Sequence, residues 1–193
     1  IIDHELLREG IKQNNIRIVD VRREDDYKAG HIKNSVNLPL AKLLNDDSVE
    51  NIAKIAGELG ISDNTPVVVY DDTFGALSSR VVWALQYIGH SDVKLLNVTF
   101  SQWKELGLEI TTKVPKIEKS IHSIKIKSDI MATADYLEKV KDKKNVVIID
   151  NRERLNFLEQ HIPGAINIPY RTLATDGQII RTKESMRSLL KNR

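Results

Sequence analysis

Residues 19–39 read VDVRREDDYKAGHIKNSVNLP, and residues 149–169 read IDNRERLNFLEQHIPGAINIP. Set against each other at an offset of 130, without a gap over 21 positions, they share six identities. These are Asp20/Asp150, Arg22/Arg152, His31/His161, Ile32/Ile162, Asn37/Asn167 and Pro39/Pro169. Val19/Ile149, Tyr27/Phe157 and Val36/Ile166 are like-for-like. A self-match this long marks a duplicated unit, here one large enough to be a domain.

Around the first copy, strand and helix patterns alternate. Asp3 is placed to cap a helix that Gly10 would end. Ile16 to Val19 reads as a strand running into Asp20, and Val36 to Leu38 as a second strand closed by Pro39. Ile52, Ile55, Ala56 and Leu59 fall at helical spacing before Gly60. Val67-Val68-Val69-Tyr70 is a continuous apolar run, which suits a parallel strand covered on both faces. After the loop DDTFG, Leu77, Val81, Leu85 and Ile88 share one side of a helix from Ala76 to Ile88. Val93 to Leu96 reads as a further strand, and Phe100, Trp103 and Leu106 as a short helix. The expected class is α/β, with two similar domains, each a mainly parallel sheet flanked by helices. The first domain is expected over 1–112. A linker follows over 113–127, where Pro115 and scattered lysines loosen the pattern. The N-terminal part of a second domain is expected over 128–193, with a helix at 133–140 and a strand at 146–149.

Composition narrows the function. Lys plus Arg number 29 against 27 Asp plus Glu, a net charge of +2. The charges are interspersed, so nothing argues for nucleic acid or a membrane surface. No apolar run approaches the roughly 18 residues of a membrane span. The chain has no cysteine, which excludes disulfides, thiolate metal sites and a cysteine nucleophile within these residues. The histidines show no metal-ligand spacing. The cytoplasm is the default location.

The pattern of an apolar strand, D-x-R, an aromatic, and then G-H-I-x-x-A-x-N-x-P resembles the rhodanese family of sulfurtransferases. Two such units in one chain resemble its tandem members, the thiosulfate and 3-mercaptopyruvate sulfurtransferases. The resemblance implies that the loop after the strand VVVY should open with a cysteine. That thiolate would be stabilised by loop N–H groups and a helix N-terminus. Asp71 stands there instead, followed by Asp72 and Gly75, and a carboxylate oxygen cannot hold a sulfane sulfur. Two acids at a helix N-terminus also suit the helix dipole, so the loop reads as a vestigial site in an inactive first domain. Tandem members show the same loss in their first unit.

The second unit is therefore expected to hold the nucleophile. Pro39 and Asp71 are 32 positions apart, and the same spacing from Pro169 lands eight residues past Arg193. The expectation is a fragment of a longer protein. Its missing strand and helix would come from a remaining segment or from a second chain that completes domain 2. Arg152, with Arg154 beside it, is the candidate for holding a small anionic sulfur donor, because guanidinium geometry suits carboxylate and sulfonate oxygens. Arg171 is a weaker candidate. The competing reading for Arg152 is a pair with Asp150, since Asp20 and Arg22 repeat the motif in a unit with no nucleophile. His31 and His161, kept in both units, read as structural. Two departures from the family pattern stand out: Asn156, where a second arginine is usual, and Val98-Thr99, where a Gly-Gly turn is usual.

The leading expectation is an enzyme that moves sulfane sulfur to cyanide or a thiol acceptor through a cysteine persulfide, with no metal or organic cofactor. A non-catalytic rhodanese-like binding or regulatory module is the alternative. A phosphatase of related fold, with a longer cysteine loop, is a third.

Overall fold

The computed structural model describes residues 1–175 and 177–191. It divides into two compact units, Ile1–Ser128 and Asp129–Arg193.

The first unit begins with helix α1, His4–Gln13, capped by Asp3 through its carboxylate and the Glu5 N–H at 2.8 Å. Gly10 does not end this helix. It sits inside it, where a Cβ would lie 3.1 Å from Ile16, and the stop comes at left-handed Asn14. Strand β1, Arg17–Asp20, helix α2, Glu24–Ala29, and strands β2, His31–Ile32, and β3, Ser35–Asn37, follow. Helices α3, Leu40–Leu44, and α4, Val49–Glu58, lead to strand β4, Val67–Tyr70. Helix α5, Ser78–Tyr87, strand β5, Val93–Leu95, helix α6, Phe100–Glu105, and strand β6, Ile110–Thr111, complete the order.

The main sheet runs β3-β1-β4-β5, and every pairing in it is parallel. Successive residues of a strand point to opposite faces, so an all-apolar run serves two cores. Val19, Val67 and Val69 pack with Leu43, Ile52, Ala56, Val81 and Leu85 from α3, α4 and α5. Ile18, Val68 and Tyr70 face the other way, onto Leu7, Phe100 and Trp103. The Val67–Tyr70 run is buried throughout for this reason. Thr99, in place of the family's Gly-Gly turn, caps α6 in a reciprocal box with Gln102.

The segment expected as a linker is fastened along the first unit. Ser120 N–H donates to Gly57 C=O at 2.9 Å, Lys125 N–H to Ile88 C=O at 2.8 Å, and Lys127 N–H to Tyr87 C=O at 2.9 Å. A Cβ on Gly57 would meet the Ser120 carbonyl oxygen at 2.5 Å, so only glycine admits this approach. Exposed lysines made the segment look loose, while its backbone N–H groups fill carbonyl acceptors left over at the ends of α4 and α5. That is why the first compact unit reaches Ser128.

The fastening includes a buried pair of imidazoles. His90 Nδ1 and His122 Nε2 are 3.1 Å apart, and His90 Nε2 lies 2.9 Å from the Thr65 carbonyl oxygen. Burial, then the neighbouring His122, holds His90 below the ordinary histidine range, against weaker upward pulls from Thr65 and Asp92. The unfolded chain takes up this proton near pH ~6.5 and the folded chain only at lower pH. The unfolded state therefore binds more protons in that interval, and stability falls as pH drops below about 6.5. Urea midpoints of the first unit, followed by its two tryptophans, should decline more steeply between pH 7 and 5 in the parent protein than in His90→Asn. Equal slopes would remove His90 from the account.

The second unit contains α7, Ala134–Val140, β7, Ile149–Asp150, α8, Arg154–Glu159, β8, Ile166–Asn167, and α9, Lys183–Lys191. Strands β7 and β8 pair in parallel. The strand expected at 146–149 is short because, among the described residues, β7 pairs with β8 alone, whereas β1 lies between β3 and β4. Among the described residues no helix is long and apolar enough to cross a membrane.

Candidate active site

The two copies of the repeat build the same local module. In the first unit Arg22 and Asp20 are locked together. The Arg22 backbone N–H donates to Asp20 Oδ1 at 2.9 Å, its Nε to both carboxylate oxygens at 3.1 Å, and its Nη2 to Oδ2 at 2.6 Å. Nη2 also donates to the Gly30 carbonyl at 2.7 Å. Asn37 Nδ2 closes the knot by donating to the Asp20 and Arg22 carbonyls, both at 3.0 Å. Asp20 is fully buried and also accepts the Tyr70 hydroxyl at 2.5 Å. Burial alone would pull Arg22 down, but the Asp20 carboxylate outweighs it and holds the guanidinium above its usual range. Burial first, and Asp20 second, hold the Tyr70 phenol well above its ordinary value. The Arg22 guanidinium also lies 3.6 Å over the Phe100 ring.

In the second unit the Arg152 backbone N–H, Nε and Nη2 donate to Asp150 at 2.9, 3.0 and 2.6 Å. Nη2 reaches the Gln160 carbonyl at 2.5 Å, and Asn167 Nδ2 donates to the Asp150 and Arg152 carbonyls at 2.9 Å. Hydrogen bonding from Arg152 holds Asp150 below the usual carboxylate range, and Asp150 holds Arg152 above its own. The histidines repeat too. His31 Nδ1 lies 2.8 Å from the Tyr27 carbonyl and its ring stacks on Tyr27, and His161 does the same with Phe157 at 2.7 Å.

The difference lies in what covers the module. The Arg22 side chain is 9% exposed and that of Arg152 53%. Ile32 is fully buried while Ile162 is 46% exposed. Arg152, Asp150, His161 and Ile162 line an open depression of about 640 Å³. Arg154, at the start of α8, is exposed and is not among its lining residues. Arg171 Nε donates to Glu153 at 3.0 Å.

In the first unit the loop after β4 wraps around one carboxylate. Asp71 is 2% exposed and accepts six hydrogen bonds. The backbone donors are Thr73 and Gly75 at 3.0 Å and Leu77 and Ser78 at 2.9 Å. The hydroxyl donors are Thr73 at 2.9 Å and Ser78 at 3.0 Å. Gly75 adopts φ 84°, which turns its N–H inward. Leu77 and Ser78 lie at the start of α5, so the helix end shares the charge. This is an anion nest, and the chain's own carboxylate fills it.

Asp72 does not join Asp71 at α5. It accepts from the Ser101 N–H at 2.8 Å and hydroxyl at 2.7 Å, in the first turn of α6. The chain places α6 beside the loop through the Phe100 N–H to Asp71 C=O bond at 2.9 Å, so the nearer unfilled donors for Asp72 belong to α6. Asp72, Thr73, Arg22, Phe100 and Lys104 line a cleft of about 550 Å³ over the nest. Thr73 and Ser78 were not singled out from sequence. The D-x-T step is a local side-chain turn signal that would have found Thr73.

The rhodanese-like domain model matches residues 3–106 and again residues 133–193. The chain belongs to the rhodanese-like domain family. The two matches coincide with the two copies of the repeat. A probable 3-mercaptopyruvate sulfurtransferase of Schizosaccharomyces pombe is 34% identical over 137 residues, covering 63% of this chain and 46% of that protein. The sulfur carrier protein TtuD of Thermus thermophilus is 26% identical over 98% of this chain and 76% of its own length. The thiosulfate sulfurtransferase of Gallus gallus is 27% identical over 76% of this chain and 54% of that protein. The chain thus spans about half the length of the yeast and chicken proteins. The crystal structure of the 3-mercaptopyruvate sulfotransferase SseA from Escherichia coli superposes with a TM-score of 0.88 at 22% identity. That match covers all of this chain and 83% of the other. It establishes the rhodanese fold.

Proposed function

We propose that the protein to which these residues belong is a sulfurtransferase. Its second rhodanese unit carries sulfane sulfur on a cysteine persulfide, and its first unit is a scaffold. The observation that carries this reading is the Asp71 nest. Six donors converge after β4 on the position where a sulfur-bearing thiolate would need them, and the group there is a carboxylate. The nucleophile is proposed to lie outside the 193 residues, which hold no cysteine. The names of relatives support sulfur transfer as the reaction class.

With thiosulfate, the thiolate attacks the outer sulfur, the S–S bond breaks, and sulfite leaves with the bonding electron pair. With 3-mercaptopyruvate, the C–S bond breaks and the leaving enolate takes up a proton to become pyruvate. In the second half-reaction cyanide or an acceptor thiolate attacks the outer persulfide sulfur and the enzyme thiolate departs. No step calls for redox chemistry beyond this displacement. Arg152 is the proposed holder of the donor anion: its pair with Asp150 fixes the guanidinium at the rim of the depression. Arg154 is the secondary candidate. The exposed Ile162 and Ile149 fit a face that a further segment, or a second chain, would cover. The cytoplasm is the proposed location by default.

The test is cyanide-dependent thiocyanate formation by the full-length protein, with the 193-residue chain giving none. Arg152→Ala should raise KM for the donor about tenfold or more, the loss expected for a charge-assisted contact. Unchanged kinetics would remove Arg152 from the site. A binding module is the second reading, favoured by the absence of any thiol in these residues. A full-length protein without thiocyanate activity would decide for it.

A further inference from the structure

Among the described residues, the opposite end of the sheet holds a cation without a counter-ion. Arg17 opens β1, and its register partner Val67 opens β4, so Arg17 lies at the other end of these strands from the Asp71 loop. The Arg17 Nε is buried and, among the described residues, has no hydrogen-bond partner. Among the described residues Arg17 makes no ion pair, and burial alone holds its guanidinium below the usual range. Every other arginine paired in this unit has its carboxylate: Arg22 has Asp20, Arg8 has Glu5, Arg23 has Asp26 and Arg80 has Asp47. A half-buried guanidinium without a counter-charge, one of its donors buried and unfilled, is costly unless something supplies the missing charge.

The surroundings suit an anion. Arg17 lines an open cavity of about 500 Å³ with Asn14, Asn15, Asn34 and Lys116, and no acidic side chain lines it. Asn14 and Asn34 both adopt left-handed backbone, with φ 52° and 65°. Asn15 Nδ2 is engaged with Gln13, while Asn14 and Asn34 add neutral carboxamides to the lining. Lys116 comes from the strap over 113–127, so an occupant would touch both the sheet end and the strap.

We propose that this cavity is a binding site for a small divalent oxyanion, of the phosphate or sulfate type, held by the Arg17 fork with Lys116 and the two asparagine amides. The planar end of the guanidinium, with its two terminal nitrogens, matches two oxygens of such an anion. The site is separate from the sulfur chemistry proposed above and does not depend on it. Binding there would secure the strap to the first unit.

The experiment is calorimetric titration and thermal unfolding of the 193-residue chain with inorganic phosphate and with sulfate, at ionic strength matched by sodium chloride. Saturable binding and a rise in the tryptophan-reported midpoint are expected with both anions and not with chloride. Arg17→Met should weaken phosphate binding at least about tenfold, and Lys116→Ala about threefold. In anion-free buffer Arg17→Met should melt no lower than the parent, because it removes an uncompensated charge. An arginine with a purely structural role would give a lower midpoint there. If Arg17→Met does not fold, Arg17→Lys serves: it keeps the charge, loses the fork and should still weaken binding. No saturable effect beyond matched chloride, or equal affinity in the parent, Arg17 variant and Lys116→Ala, would overturn the proposal.

Discussion

Asp71→Ala is expected to destabilise the first unit by about 3–5 kcal/mol, the usual consequence of removing one partner from a buried charged cluster. The mutation deletes the acceptor and leaves six donors converging on a small cavity. Four of these are backbone N–H groups that cannot turn away without reshaping the loop. Asp71→Asn should fall between the two, since one amide oxygen still accepts while its NH2 opposes neighbouring donors. Both tryptophans lie in the first unit, so fluorescence-detected urea unfolding reads this loss directly. Asp71→Cys gives an independent view of the same nest. In the 193-residue chain, which has no other cysteine, the new thiol should ionise below the ordinary ~8.5, because the same donors favour the thiolate. The pH dependence of its alkylation measures this. An ordinary or raised value would mean that the loop does not favour an anion.

The second large effect separates the two copies of the repeat. Asp20→Ala should cost the first unit about 3–5 kcal/mol, for it strands the Arg22 guanidinium among buried groups and removes the Tyr70 acceptor. Asp150→Ala deletes the equivalent carboxylate from a nearly identical set of hydrogen bonds, yet it should change the melting of the chain little. Arg152 is more than half exposed, and water replaces what Asp150 supplied. Parallel thermal melts of the two variants, followed by far-ultraviolet dichroism, make the comparison. Equal losses would show that the second copy is as well enclosed as the first.

Much of this was legible in the residues. The Val67–Tyr70 run declared a strand with two covered faces, and the structure places its residues alternately in two cores. The paired D-x-R motifs declared a repeat, and the hydrogen bonds of Arg22 and Arg152 coincide almost bond for bond. The competing reading of Arg152, a tie to Asp150, describes what its Nε and Nη2 do. What stayed hidden depends on neighbours distant in the chain. Gly10 looked like a helix stop because nothing local reveals that Ile16 must approach it. Asp72 looked like a second cap for α5, but the fold sets α6 beside it. The lysine-rich strap looked loose because its attachment runs through backbone groups and through His122, whose partner His90 is 32 residues away. The anion cavity at Arg17 gave no motif, since its members come from three separate stretches.

The central claim is that sulfur travels on a cysteine belonging to the second rhodanese unit while the first unit carries none. Intact-mass and peptide-mapping spectrometry of the full-length protein after exposure to thiosulfate tests it most directly. The account predicts a gain of one sulfur atom per chain, lost on adding cyanide, on a cysteine outside the residues described here. A full-length protein that gains no sulfur, or that has no cysteine to receive it, would contradict the account.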